Sequence, residues 1–83
     1  MATLCKTMDD IREAYEHLVD INRIRLHCLG IGEVDLANQA SDTMRKSINN
    51  QPELWLTWRE MLRNDNRSAS YYVSCLLDDA MYA

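Results

Sequence analysis

The sequence predicts an all-α fold, a compact bundle of about four short helices in a single domain over residues 1–83. Two observations carry that expectation. Apolar residues recur at steps of three and four in each of four segments, the spacing of one helix face. Turn residues are scarce, with only two glycines and one proline in 83 positions. A β-sandwich or barrel needs a turn about every 8–12 residues, which this composition does not supply. The chain is 47% hydrophobic, a globular proportion, so composition does not mark it as disordered.

The first helix is predicted near residues 7–29. Thr7 opens it with Asp10 three positions on, a capping-box arrangement, and Asp9 and Asp10 place negative charge where the helix dipole favours it. Leu4, Met8, Ile11, Tyr15 and Leu18 step by 4, 3, 4, 3, and Ile21, Ile24 and Cys28 extend the stripe. Beyond that point Ile24, Leu26, Cys28 and Leu29 fall on more than one face. Other helices or a subunit interface must surround that half. Gly30 is expected to stop the helix.

The second helix, near 33–48, carries Val34, Ala37, Ser41, Met44 and Ile48 on a face of mostly small side chains. Asn49 and Asn50 end it. Asn50 is then expected to cap the third helix, near 51–63, with Pro52 in its first turn and Glu53 completing the pattern. Leu54, Trp58 and Met61 form its inner line, flanked by Trp55 and Leu62, while Leu56 points away. A polar turn over 64–68 leads to the fourth helix, near 67–81, with Ala69, Tyr72, Val73, Leu76, Leu77 and Ala80 at helical spacing. Tyr71, Val73, Cys75 and Leu77 also alternate as a strand would. No second segment offers such a strand a partner, so the helix is the expectation.

The formal net charge of −4 disfavours nucleic acid and anionic lipid as default partners. The charge is uneven. Arg45, Lys46, Arg59, Arg63 and Arg67 concentrate positive charge in the middle third. The three cysteines, Cys5, Cys28 and Cys75, are odd in number and widely spread, as expected of reduced thiols in a cytoplasmic protein. Asp9 and Asp10 precede any apolar run, so no leader is expected. The longest uncharged stretch, residues 68–77, is about half of what a membrane-spanning helix needs, and no membrane contact is expected.

Catalytic signatures are missing, and no enzyme activity is expected. Glu13, His17 and Asp20 share a helix face, but this is the ordinary pattern of a solvated surface, so no metal and no cofactor are expected. Cys28 beside His27 lies on the apolar stripe and reads as a core residue. Gly30 and Gly32 form no phosphate loop.

Protein interaction is the remaining class. Trp55, Leu56, Arg59, Arg63, Tyr71, Asp78 and Asp79 are the expected partner-binding residues, aromatic and arginine side chains being those that dominate interfaces. The acidic pair sits unfavourably near a helix C-terminus, which suits a functional surface. Ile24, Leu26 and Leu29 are expected to mediate self-association as a homodimer. The profile resembles that of small bacterial or phage regulators and inhibitors that bind a larger protein partner. The alternative is a dimeric helix-turn-helix regulator that sets Arg45, Lys46, Arg59 and Arg63 against DNA.

Overall fold

The computed structural model describes residues 7–82, and Leu4 and Cys5 lie outside them. Four α-helices follow in order: α1, Met8–Gly30; α2, Val34–Asn49; α3, Trp55–Arg63; and α4, Tyr71–Tyr82. Short 3-10 turns at Pro52–Leu54 and Ser68–Ser70 lead into α3 and α4. The described residues contain no strand, and the Tyr-Tyr-Val segment is helical. Without a partner strand its backbone groups are satisfied only within its own helix.

Thr7 caps α1 as expected. Its hydroxyl accepts from the Asp10 amide at 3.1 Å, and its own amide donates to the Asp10 carboxylate at 3.4 Å. The other end differs from expectation. Gly30 is still helical, and Gly32 is the residue with positive φ, at +84°. The Gly32 amide donates to the Leu29 carbonyl at 3.2 Å and the Glu33 amide to the Cys28 carbonyl at 2.8 Å. These two bonds make the Schellman closure, which requires the left-handed residue after the cap and not at the last helical position. Asn50 does not cap α3. It keeps helical dihedrals, and its amide bonds back to Lys46, so it belongs to the last turn of α2.

The core is built from one face of each helix. Ile11, Tyr15, Leu18 and Val19 of α1 meet Met44 and Ile48 of α2, Leu54 and Trp58, and Ala69, Val73, Leu76 and Leu77. The buried stripe of α1 runs through Val19 and Asn22, while Met8 and Ile24 of the expected stripe are exposed. Both indoles are anchored by backbone. Trp58 Nε1 donates to the Ile11 carbonyl at 3.3 Å and Trp55 Nε1 to the Ile48 carbonyl at 2.7 Å. A buried indole needs such an acceptor, and here the two acceptors tie α3 to both α1 and α2.

Helix direction follows from the cross-contacts. Ala69 sits at the level of Asn22, Tyr72 meets Ser41, and Asp79 and Ala80 border a depression with Arg45 and Asn49. The α4 helix therefore runs alongside α2 and back toward the start of α1. Beyond Asn22, Tyr72 of α4 lies under the Arg25 guanidinium of α1 at 3.8 Å. The eight residues after Asn22, through Gly30, carry the α1–α2 hairpin about 12 Å past the start of α4. The molecule is correspondingly long, 44 × 26 × 25 Å.

Gly30 and Gly32 give opposite expectations. A Cβ at either position meets nothing within 4 Å, so only backbone conformation decides. Gly30→Ala should stabilise by about 0.5–1 kcal/mol, and Gly32→Ala should destabilise by about 1–2 kcal/mol, because only the second places an L-residue in the left-handed region. Thermal unfolding of the two variants checks this, and equal shifts would show that the closure sits elsewhere.

Candidate interaction surface

Three features stand out when the polar and exposed apolar side chains are placed on the fold. The first is a clasp around Arg67. Its guanidinium holds Glu16 through two bonds of 2.7 and 2.9 Å and Asp65 through bonds of 2.6 and 3.0 Å. The Arg67 amide also donates to Asp65, at 3.0 Å. On its other side the Asp65 carboxylate accepts from the Tyr15 hydroxyl. Close by, the buried Asn22 amide donates to the Ala69 carbonyl, and its oxygen accepts from Arg25 Nε at 2.7 Å. These bonds fasten the polar turn before α4 to the middle of α1.

The electrostatics follow from the contacts. The Arg67 guanidinium holds the Asp65 carboxyl well below the usual carboxylate range, with Tyr15 adding to the effect against the opposing influence of burial. Glu16 is lowered by the same guanidinium. Burial, then the adjacent Asp65 carboxylate, push the Tyr15 phenol above its ordinary range. An open cleft of about 420 Å³ lies beside the clasp, bordered by Arg12, Met61 and Asn64 as well as its members. Each charged group of the clasp is satisfied by another. The clasp is a structural device. Among the described residues no group of three or more His, Cys, Asp and Glu is arranged to hold a metal ion. Glu13 and His17 border a separate shallow groove, exposed on α1.

The second feature is the outer face of α3 and α4. Leu56, Arg59 and Arg63 fall at i, i+3 and i+7, one face of α3. Tyr71, Cys75, Asp78 and Tyr82 follow at i, i+4, i+7 and i+11 on α4. Arg59 joins the two faces by bonding Asp78 at 2.6 Å, and its guanidinium lies 5.9 Å from the Tyr82 ring. On these two faces Leu56, Tyr71 and Tyr82 stand 71, 74 and 75% exposed.

The residues named from the sequence therefore separate. Leu56, Arg59, Arg63, Tyr71 and Asp78 belong to this face. Trp55 leaves it, half-buried against the core with its indole engaged by Ile48. Asp79 leaves it too, lining the depression toward Arg45 of α2. Asp78 opposes the α4 dipole, but Arg59 offsets that.

The third feature is the hairpin end. Leu26 and Leu29 continue the buried stripe Ile11, Tyr15, Leu18, Asn22 at steps of four and three. Val34 continues that of α2, three positions before Ala37. These side chains are nevertheless 42, 45 and 53% exposed, because α4 begins short of them and runs the other way. Ile24, Ile31 and Leu36 are also exposed. The hairpin end is thus apolar on both sides, which a solvated helix pair does not favour. Completing the burial of each half-exposed aliphatic is worth about 1 kcal/mol. Cys28 is buried beneath them, as its place on the stripe implies.

No family model, curated protein or solved structure matches this chain. Among the described residues no helix is long and apolar enough to cross a membrane.

The clasp residues were not singled out from the sequence. Asn22 was the available signal, a polar residue set in the middle of an apolar stripe and so in need of a buried partner. Arg67→Ala should cost about 2 kcal/mol, since it leaves Asp65, whose side chain is 7% exposed, without its counter-ion. Because the folded Asp65 and Glu16 carboxyls are lowered, their stabilisation is complete above the usual carboxylate range and is lost as pH falls from that range through their lowered folded values. Because the folded Tyr15 phenol is raised, stability also declines as pH rises above about 10. Urea unfolding from pH 2 to pH 7 tests the acid limb. An acid limb as steep in Asp65→Asn as in the parent chain would refute the assignment.

Proposed function

We propose that this chain is a non-catalytic protein-interaction module that regulates or inhibits a larger partner by covering part of its surface. The observation that supports this reading best is the α3–α4 outer face. Two tyrosines and a leucine stand about three-quarters exposed on a face that also holds Arg59, whose position is fixed by Asp78 and whose guanidinium lies near the Tyr82 ring. Leucine apart, these are residue types that anchor interfaces, and rigid aromatic rings lose little conformational freedom when covered. Arg63 and Tyr71 give the face polar edges suited to a rim. Cytoplasmic location belongs to the same proposal, in keeping with the unpaired Cys28 and Cys75.

The DNA-binding alternative draws less support. Arg45 is paired with Asp42 at 3.7 Å, Arg59 with Asp78 and Arg63 with Glu60 at 3.5 Å. Three of the four cations that reading needs already have an acid beside them on the same chain. The exposed Arg45 and Arg63 pairs are weak, yet their carboxylates would still repel a phosphate.

The test is a crosslinking pull-down from native host cells, read by mass spectrometry, with the parent chain and the Leu56→Glu and Tyr82→Ala variants compared. The parent should enrich one larger protein. Each variant should lose it about thirtyfold or more, the effect of removing an interface anchor of about 2 kcal/mol, with circular dichroism unchanged. Equal recovery by the parent and both variants would overturn the proposed face. Salt-sensitive recovery of DNA fragments in place of protein would restore the alternative.

A further inference from the structure

The hairpin end is a second surface, separate from the α3–α4 face, and its chemistry specifies an occupant. We infer that a second copy of this chain covers it, the two α1–α2 hairpins packing around a two-fold axis as an antiparallel four-helix unit.

The apolar part of the argument is continuity. The stripes that form the core run on into Leu26, Leu29 and Val34, which are half exposed although Cys28 and Ala37 between the two helices stay buried. A surface continuous with a core and built from the same side chains fits another helical pair of similar geometry. The last described residue of α4, Tyr82, lies away from the hairpin end, beside Arg59 of α3.

The charges select the partner. On α1, residues 21–30 carry Arg23 and Arg25 and no acid. On α2, Glu33, Asp35 and Asp42 precede the first cation, Arg45. The two helices of one hairpin end therefore have opposite signs. An isologous pairing that lays α1 of each copy beside α2 of the other brings each basic helix against an acidic one, twice over by symmetry. Parallel pairing of α1 with its own copy would set Arg23 against Arg23, so the antiparallel arrangement is the one the charges favour. Arg25 is held over Tyr72, which leaves Arg23 as the basic residue free to reach across. Its present neighbour is Asp20, an exposed pair at 3.1 Å that is easily exchanged. Glu33 and Asp35 make no ion pair among the described residues.

Sedimentation equilibrium of the purified chain tests this, with circular dichroism recorded for every variant. The parent should sediment at twice its 9.7 kDa mass, with Kd on the order of 10 µM or tighter. Leu29→Glu should return a 9.7 kDa species with helicity retained, since that side chain is already half exposed. Arg23→Glu should weaken the dimer about tenfold, and adding Asp35→Arg should restore it, a rescue that only the α1-to-α2 arrangement predicts. Leu56→Glu should leave the dimer intact, which separates this surface from the α3–α4 face. A parent chain that remains at 9.7 kDa up to about 100 µM overturns the inference, and so does a dimer broken by Leu56→Glu but not by Leu29→Glu.

Discussion

The grip of Arg67 on Glu16 and Asp65 decides where the second half of this chain meets the first. Glu16 is at the middle of α1, and Asp65 and Arg67 belong to the turn before α4. Once that turn is fastened there, with the Asn22 amide holding the Ala69 carbonyl beside it, α4 has only one course. It begins at the level of Asn22 and returns toward the start of α1. The tryptophans then set α3, since Trp58 finds its acceptor at Ile11 and Trp55 at Ile48. A cluster of polar bonds thus positions an apolar core. Hydrophobic burial supplies most of the driving force but is not directional, whereas a bidentate guanidinium defines a single placement.

The same fastening leaves a length mismatch. The α1 helix has 23 residues and α4 has 12. When the shorter helix starts part-way along the longer one and runs backward, the far end of the longer one stays uncovered whatever its side chains are. Here those side chains are apolar. The exposed leucines of the hairpin and the exposed tyrosines of α4 arise from different causes. The former follow from where α4 begins, and the latter from which face of α4 points outward. Two surfaces with separate origins can serve separate contacts.

Much of the fold was legible because it rests on local periodicity. Steps of three and four located all four helices, and Thr7 with Asp10 marked the first boundary. What escaped were features that depend on partners far along the chain or on a choice between near-equivalent residues. Gly30 and Gly32 are both plausible terminators, and only the backbone path into α2 selects Gly32. Asn50 resembles a cap, but it keeps helical dihedrals, with its backbone amide donating to the Lys46 carbonyl, and so closes α2. Arg67 looked like one of several cations in a basic segment, and its acid at Glu16 lies 51 positions away. On the candidate surface, Leu56 was legible because it opposes the core line of α3. Trp55 flanks that line, and its indole packs at the edge of the core while its nitrogen donates to the Ile48 carbonyl, a partner the spacing alone does not show.

The division of α1 at Asn22 also bears on how this molecule can vary over generations. Leu18 and Leu29 occupy the same stripe, yet one is sealed within its own chain and the other is half open to solvent. Changes before Asn22 are screened by whether the chain folds at all. Changes to the half-exposed Leu26 and Leu29 after it weigh less on the fold, because a half-exposed side chain contributes little to holding it. One helix therefore carries two separately adjustable traits. A lineage could gain, lose or retarget contacts at the hairpin end in single steps, with the inherited architecture unchanged beneath them.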